Sequence, residues 1–311
     1  MKIAHVAKFD RAKGHLGGVE KFAAHLGRVF PELEVFSSED IDDRSGSDLA
    51  VARRLNTYLL ETNKLTPEHI VVADGVWLVG LADNVKATVN VSHGTWIGVS
   101  IANEIHKFGE TSEFLKFAKW QEAAYRSADV VVAVSPMAAW ELKSYYNIDS
   151  TMIYNGVDLS VFRPAKENKG LVLHVASQGR KQLSMVEDTS GLLTAVPEFL
   201  NVKTGDEKDE AARWSQGRVF FQPSLYEGCS YASLEAMACG LVPVSYRTGL
   251  FWDLPDKVAI AVDDHYHSVY AAEIHRALHD YRDFKPRKWV EKNASLKKFA
   301  ANWRSLVGGL R

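Results

Sequence analysis

The chain has few cysteines and no long uninterrupted apolar run. Of its 311 residues, two are cysteines, Cys229 and Cys239. If the segment between them is helical, they lie about 15 Å apart at 1.5 Å per residue, which is too far for a disulfide. Two free thiols indicate a reducing compartment. Because no apolar run approaches membrane-spanning length and the start reads as a strand rather than a secretory signal, we expect a cytoplasmic protein with no transmembrane segment.

The chain also has little net charge and no metal-ligand pattern. The formal net charge is -2, and neither half of the sequence carries a strong excess of basic residues, so no global field directs the protein to nucleic acid. The 11 histidines are scattered. No group of Cys, His and acidic residues has the spacing of metal ligands, so the sequence predicts no metal site.

The first half of the chain alternates strand-like and helical patterns. Short runs of β-branched and aliphatic residues suit buried parallel strands, and apolar residues three and four positions apart predict helices between them. We predict strands at 2–6, 33–36, 70–73, 88–91 and 129–134, and helices at 19–29, 48–61, 114–126 and 137–146. This order predicts a doubly wound parallel sheet.

Turn residues from Asn155-Gly156 to Pro164 interrupt the alternation and mark a domain boundary. Beyond them we predict strands at 171–176, 199–203, 219–222, 241–245 and 259–262, and helices at 207–215, 230–238, 268–281 and 287–307. The fold class is therefore α/β, with two Rossmann-like doubly wound domains. We assign residues 1–155 to the first domain, 156–285 to the second and 286–311 to a terminal helix.

The most informative stretch is Phe220–Gly240, FFQPSLYEGCSYASLEAMACG. A strand-like run ends in Pro223-Ser224, a turn carries Glu227-Gly228, and a helix begins near Ser230 and carries Glu235. Free N–H groups at a helix N-terminus attract phosphates, and carboxylates accept hydrogen bonds from sugar hydroxyls. The stretch therefore suits a sugar nucleotide. The alternative is that Ser230 merely caps a helix on which Glu235 lies exposed.

Glu227 and Glu235, with seven residues between them, resemble the Glu-x7-Glu signature of the retaining GT-B glycosyltransferases of family 4. In that family the first Glu contacts the donor sugar and the second contacts the nucleotide ribose. The resemblance implies these roles for Glu227 and Glu235. It also implies that backbone amides between them hold the sugar and the diphosphate, here those of Gly228, Cys229, Ser230 and Tyr231.

Two other strings carry the same resemblance. The string YNGVDLSVFRP, from Tyr154 to Pro164, is similar to the hinge of the family. The string GHLGGVEKFAAHL resembles a loop that faces the donor phosphates and the acceptor, which implies donor contacts for Gly17 and Gly18. This loop follows the first strand, where doubly wound sheets bind ligands. We expect Glu20 mainly to stabilise the helix that follows. The resemblance also implies that the terminal helix crosses back to the N-terminal domain.

The chain departs from the family between the hinge and the two glutamates. About 60 residues lie there, fewer than the usual set of strand–helix units, which implies a trimmed C-terminal domain. The family's separated Arg and Lys are replaced by adjacent residues in Gly179-Arg180-Lys181-Gln182. We assign both Arg180 and Lys181 to the donor diphosphate, with Lys181 as the principal group. The alternative is a pair of solvated surface cations.

Three further residues follow strands in the first half. His93 follows the strand TVNVS at a carboxyl end, and family members often have a His there, near the donor sugar, so we include it in the site. Trp96 could stack on a sugar or a base, or pack in the core. Ser135 could face the site, or cap the next helix.

The resemblance implies a metal-independent, retaining glycosyltransferase that needs no cofactor beyond its nucleoside-diphosphate-sugar donor. The two domains would face each other across a cleft, and Arg180 and Lys181 would stabilise the charge on the leaving diphosphate. The acceptor stays open among a lipid carrier, a glycan, a small molecule and a modified DNA base. Two other functions stay open as well: a sugar-nucleotide epimerase of the same fold, and a sugar-nucleotide binding module that has lost catalysis.

Overall fold

The computed structural model describes residues 2–10, 12, 14, 17–106, 112–176, 181–193, 199–202 and 206–310. The chain divides into two compact units. Unit 1 contains Met1–Tyr154 and Phe299–Arg311, and unit 2 contains Asn155–Lys298. Each unit is built around its own parallel sheet.

The sheet of unit 1 is formed by strands that alternate with helices along the chain. The strands are β1 (Lys2–Ala7), β2 (Glu34–Ser37), β3 (His69–Asp74), β4 (Ala87–Ser92), β5 (Val130–Ala133) and β6 (Thr151–Met152). The helices are α1 (Gly18–Val29), α2 (Asp48–Glu61), α3 (Trp96–Ile105), α4 (Ser112–Arg126) and α5 (Pro136–Tyr146). The described strands pair in parallel in the order β2-β1-β3-β4-β5-β6.

This strand order places a topological switch point between β1 and β3. The chain runs from β1 outward to β2 and then returns to the other side of β1, where β3 pairs with it. The loops that leave β1 and β3 therefore diverge, and the crevice between them is where open parallel sheets bind ligands. Side chains at the carboxyl ends of β1, β3 and β4 are thus positioned for a site.

An aromatic cluster packs the end of the chain against α1. The ring of Phe22 lies 5.8 Å from that of Phe299 and 5.6 Å from that of Trp303, and all three side chains are buried. Buried aromatic pairs at these separations are favourable edge contacts. These contacts explain why residues 299–311 group with unit 1 although they follow unit 2 in sequence.

Unit 2 repeats the same order of connections. Its strands are β7 (Leu171–His174), β8 (Phe199–Asn201), β9 (Gly217–Gln222), β10 (Val242–Tyr246) and β11 (Ile260–Val262). Its helices are α6 (Leu183–Gly191), α7 (Glu207–Trp214), α8 (Tyr231–Ala238), α9 (His267–Asp280) and α10 (Pro286–Asn293), followed by α11 (Leu296–Gly309), which continues into unit 1. The described strands pair in the order β11-β10-β9-β7-β8, so the switch point lies between β7 and β9.

The structure differs from the predicted elements at four places. Helices α3 and α6 and the short strand β6 occupy segments for which the sequence predicts no element. The predicted helix at 287–307 is two helices, because Ala294 leaves helical geometry with φ −133°. Val157 lies beside this break, where it accepts a hydrogen bond from Leu296 N at 2.8 Å and donates one to Ala294 O at 2.9 Å. These bonds replace helical ones, so the break is stabilised from outside the helix.

The described part of the chain contains no helix long and apolar enough to cross a membrane. Cys229 and Cys239 are both free thiols and both are buried, in agreement with the argument that a helix separates them.

Candidate active site

The donor loop, which we define as Pro223–Ser230, joins β9 to α8 at the switch point of unit 2. Its backbone is anchored at Glu227, whose N–H donates to the Thr248 hydroxyl at 3.1 Å. Ser230 caps α8, with its hydroxyl accepting from Ser233 N at 3.4 Å. The loop thus delivers the N-terminus of α8, with its positive dipole end, to the edge of the sheet where parallel sheets bind ligands.

Lys181 and Glu227 form an ion pair across this edge. Lys181 Nζ lies 2.5 Å from Glu227 Oε1, and the two side chains are 28% and 11% exposed. Lys181 follows β7 and Glu227 follows β9, the two strands that flank the switch point. Lys181 is therefore held against an acidic group of the donor loop and is not a solvated surface cation. Its neighbour Arg180, together with Gly179, lies outside the described residues.

Glu235 lies on α8 and is 3% exposed. The alternative of an exposed acid on a capped helix is therefore wrong, although Ser230 does cap the helix. Burial of a carboxylate is costly unless it is paired or hydrogen-bonded. Glu235 lies on the second turn of α8, and its role toward a donor stays a prediction.

The Cys229 side chain is a buried free thiol. Burial raises the pKa of the Cys229 thiol to about 12, with nearby Glu227 acting in the same direction and a backbone hydrogen bond from Asn155 opposing it. The thiol is therefore protonated near neutral pH and is a poor nucleophile. Gly228 and Tyr231 are also buried, so the predicted contacts of this stretch depend on its N–H groups.

Gly249 packs against the backbone of the donor loop. The sequence analysis did not predict this contact. Gly249 follows Thr248 and has φ +55°, a left-handed conformation that favours glycine. A Cβ on Gly249 would overlap the carbonyl oxygens of Glu227 and Gly228. The loop backbone therefore rests directly on Gly249, at a closeness that no side chain permits.

In unit 1, His93 belongs to a cluster of three titratable side chains from adjacent strands. His93 Nε2 lies 2.9 Å from Asp74 Oδ1 in a hydrogen bond. His5 Nε2 lies 3.0 Å from the other oxygen, Asp74 Oδ2, although this approach is not aligned as a hydrogen bond. The Phe22 ring meets the His93 ring edge-on at 5.1 Å and lies 5.9 Å from that of His5. The cluster thus holds the His93 ring in one orientation.

Asp74 is ionised in this cluster. Burial alone would raise the pKa of its carboxyl, but the nearby His5 and His93 and the hydrogen bond from His93 lower the pKa of Asp74 well below the usual range. A carboxylate that accepts from His93 Nε2 places the proton on that nitrogen, which sets the tautomer of the neutral ring. The sequence analysis did not predict Asp74 as a site residue, although Asp74 is the last residue of β3 and His93 directly follows β4.

Buried polar groups also fix the loop that carries His93. Gln121 accepts from Trp96 N at 3.0 Å and donates to Gly94 O at 3.1 Å. Glu141 accepts from the N–H and the hydroxyl of Thr95 at 3.2 and 3.0 Å. Trp96 stacks on Phe114 with ring centroids 5.5 Å apart and an interplanar angle of 6°, so its packing is between α3 and α4.

The remaining predicted residues of unit 1 lie at helix N-termini. Gly17 is the N-cap of α1 and Gly18 its first residue, and both are exposed. The Glu20 carboxylate folds back over Gly17, where a Cβ would collide with it, in keeping with a structural role at the helix start. Ser135 is fully buried and caps α5 by accepting from Ala138 N at 3.2 Å.

The described residues contain no group of three or more His, Cys, Asp or Glu side chains placed to hold a metal ion.

The predicted site residues fall into two sets, one in each unit. Lys181, the donor loop and Glu235 lie together in unit 2, and His93, Gly17 and Gly18 lie in unit 1. Their roles toward a donor stay predictions.

Two family models match the chain in sequence. The model of Glycosyltransferase Family 4 matches residues 16–161, and the model of Glycosyl transferases group 1 matches residues 159–280. A sequence comparison with curated proteins gave no match. Together the two models cover both units, and the chain belongs to the group 1 glycosyltransferases of GT-B fold.

Solved structures of this fold superpose over nearly the whole chain. Sucrose-phosphate synthase from Thermosynechococcus elongatus is 15% identical, with a TM-score of 0.80 and coverage of 100% of this chain and 99% of that one. HepE from Anabaena, in complex with UDP and glucose, is 14% identical, with a TM-score of 0.72 and 99% coverage of both chains. The catalytic domain of starch synthase IV from Arabidopsis thaliana is 12% identical, with a TM-score of 0.65 and 99% coverage of both chains.

Proposed function

We propose that this protein is a retaining, metal-independent glycosyltransferase that moves a sugar from a nucleoside-diphosphate sugar to an acceptor hydroxyl. The ion pair of Lys181 and Glu227 at the donor loop carries this proposal, because it joins the predicted phosphate-binding cation to the predicted sugar-binding acid. A structure of the similar HepE protein contains UDP-glucose, which makes this compound the first donor to test.

In the proposed complex, Glu235 accepts hydrogen bonds from the ribose and Glu227 from the donor sugar. The diphosphate lies against the amides of Gly228, Cys229, Ser230 and Tyr231, at the positive end of the α8 dipole. Lys181, paired with Glu227 at 2.5 Å, is close enough to the loop to meet both the phosphate and the sugar side of the donor. Arg180 adds a second positive charge next to it in sequence.

The reaction breaks the bond between the anomeric carbon and the diphosphate oxygen and forms one to the acceptor oxygen on the same face. Negative charge builds on the leaving diphosphate, where Lys181, Arg180 and the α8 amides stabilise it. The acceptor proton passes to a phosphate oxygen of the leaving group.

His93 contributes an oriented polar group near the sugar. Its ring is 22% exposed, so it can reach a ligand, while Asp74 and Phe22 hold its orientation from the buried side. A ring whose tautomer is set in advance loses less freedom when a sugar hydroxyl binds to it.

The first test is the affinity of Glu235→Gln for nucleoside diphosphates. We expect UDP, GDP or ADP, whichever the wild-type protein binds most tightly, to bind roughly 10- to 100-fold more weakly, because a charge-assisted hydrogen bond to the ribose is lost. Titration calorimetry measures the change. Glu273→Gln is the control, because Glu273 lies on the helix surface beside Arg276 and should bind as the wild type does.

Equal affinities in Glu235→Gln and the wild type would remove Glu235 from the donor site. If the wild type bound none of the three diphosphates, the whole proposal would be wrong. Incubation of the wild type with UDP-glucose and no acceptor separates the functions further, because an epimerase would form a new sugar nucleotide under these conditions and a transferase would not.

The second test concerns metal dependence. The Asp-x-Asp triplet Asp40-Ile41-Asp42 lies just after β2 in unit 1, where Asp40 accepts a hydrogen bond from Ser37 N at 2.7 Å. In unit 2, Lys181 and Arg180 supply positive charge where a metal ion would otherwise act. We therefore expect transfer to continue at an unchanged rate in excess chelator. Loss of activity with chelator, restored by Mg²⁺ or Mn²⁺, would contradict the metal-independent mechanism.

A further inference from the structure

Asn155, the first residue of unit 2, is buried and forms a hydrogen bond with the donor loop. It is 3% exposed, and its Nδ2 donates to the carbonyl oxygen of Cys229 at 2.7 Å across 74 positions of sequence. Because a carbonyl can only accept, the amino group of Asn155 must face it, which settles the orientation of the side-chain amide. A backbone hydrogen bond from Asn155 reaches the Cys229 thiol as well.

Asn155 is itself well anchored. Two residues later, Val157 exchanges backbone hydrogen bonds with the junction of α10 and α11, at 2.9 Å to Ala294 O and 2.8 Å from Leu296 N. A side chain on a backbone that is held in this way keeps a fixed position. The hydrogen bond to the Cys229 carbonyl therefore fixes the donor loop relative to the rest of unit 2.

The bond to the Cys229 carbonyl decides where the next amide points. The Cys229–Ser230 peptide is trans, and in a planar trans peptide the C=O and N–H bonds point in opposite directions. With the carbonyl directed at Asn155, the Ser230 N–H is directed away from Asn155. Among the described residues, no acceptor for the Ser230 N–H is found, so this donor is available at the start of α8.

We infer that Asn155 is a positioning residue for the donor diphosphate, which aims the Ser230 amide at the phosphates by holding the Cys229 carbonyl. The inference rests on the proposed function and adds a residue outside the Glu-x7-Glu segment to it. Thr248 holds the Glu227 N–H at the other end of the loop, so the two contacts fix the loop backbone on either side of Gly228. The amides between them are then preorganised, which lowers the cost of binding an anion.

The test compares binding of a nucleoside diphosphate with binding of the matching nucleoside. Asn155→Asp keeps the shape of the side chain but sets an acceptor against the carbonyl oxygen, so the Cys229–Ser230 peptide must turn or move. We expect the diphosphate to bind roughly 10- to 100-fold more weakly, the effect of losing hydrogen bonds to a charged group, and the nucleoside to bind as it does to the wild type. Asn155→Ala should show the same pattern.

Asn56→Asp is the matched control. Asn56 is equally buried and donates to backbone carbonyls, those of Trp77 and Val79 at 2.9 and 2.8 Å, but it lies in unit 1. Its loss should lower the thermal midpoint without changing the ratio of diphosphate to nucleoside affinity. If Asn155 were merely structural, its variants would behave in the same way, and an unchanged ratio would overturn the inference.

Hydrogen exchange of the wild-type protein keeps the inference testable if the Asn155 variants do not fold. The Ser230 amide should become protected when the diphosphate is added and not when the nucleoside is added. Absence of this protection in a wild-type protein that binds the diphosphate would overturn the role of Asn155 while leaving the proposed function intact. A wild-type protein that binds no diphosphate would overturn both.

Discussion

Lys181→Ala lowers the rate of sugar transfer by about 100-fold or more, the effect expected when one preorganised group that stabilises developing charge is removed. The fall in nucleoside-diphosphate affinity is smaller, because the charge on the leaving group is greatest in the transition state. Lys181 also loses its contact with Glu227, an ion pair at 2.5 Å in a partly buried site. Single-turnover transfer from a labelled donor, together with calorimetric binding of the diphosphate, measures the two effects separately.

Lys208→Ala and Lys181→Arg are the controls for this result. Lys208 is exposed on α7, so its removal should leave both measurements at wild-type values. Lys181→Arg keeps the charge but changes its shape and reach, and should retain part of the rate. Wild-type turnover in Lys181→Ala would show that Lys181 only pairs with Glu227 and that the amides of α8 stabilise the diphosphate without it. We expect Arg180→Ala to have the smaller effect of the two cations.

Gly249→Ala abolishes tight donor binding although Gly249 itself touches no donor in our proposal. The added Cβ overlaps the carbonyl oxygens of Glu227 and Gly228, which are main-chain atoms and cannot swing aside as a side-chain end would. The donor loop must therefore shift, and the amides that precede α8 shift with it. We expect the diphosphate to bind at least about 100-fold more weakly, because displaced amides lose more than one hydrogen bond to a charged group.

Gly170→Ala separates the overlap at Gly249 from simple backbone strain. Gly170 has φ +71°, and a Cβ there would meet the flexible Arg218 side chain at 3.5 Å, an ordinary contact. Both substitutions place alanine in a left-handed conformation, at a cost of about 1–2 kcal/mol, so both should lower the thermal midpoint. Only Gly249→Ala should lose diphosphate affinity. Equal affinity in the two variants would mean that the loop tolerates displacement.

Many of the elements could be read from the sequence because each has a local signal. The strands of both sheets are runs of β-branched and aliphatic residues, as in Ile70–Ala73, and α2 follows the predicted range of 48–61. The donor loop could be located for a similar reason. A buried strand, a glycine turn and a capped helix follow one another within Phe220–Gly240, and each part has its own composition.

The elements that the sequence reading missed lack such a signal. Helix α3 is rich in β-branched and small residues and contains Gly98, a composition that does not favour a helix by propensity. It forms because Thr95 caps it and because Gln121 and Glu141 accept hydrogen bonds from the backbone at its start. The break at Ala294 is likewise stabilised by Val157, more than 130 positions earlier.

The α/β class, the strand–helix order, the family resemblance and the segments that carry Lys181, Glu227 and Glu235 could all be read from the amino-acid sequence. All of these depend on patterns within short windows of the chain. Four contacts became visible only in the folded chain: Lys181 pairs with Glu227, Asp74 holds His93, and Asn155 and Gly249 each contact the backbone of the donor loop. These contacts join residues 19 to 74 positions apart, and no local period or composition encodes which distant groups the packing of a sheet brings together.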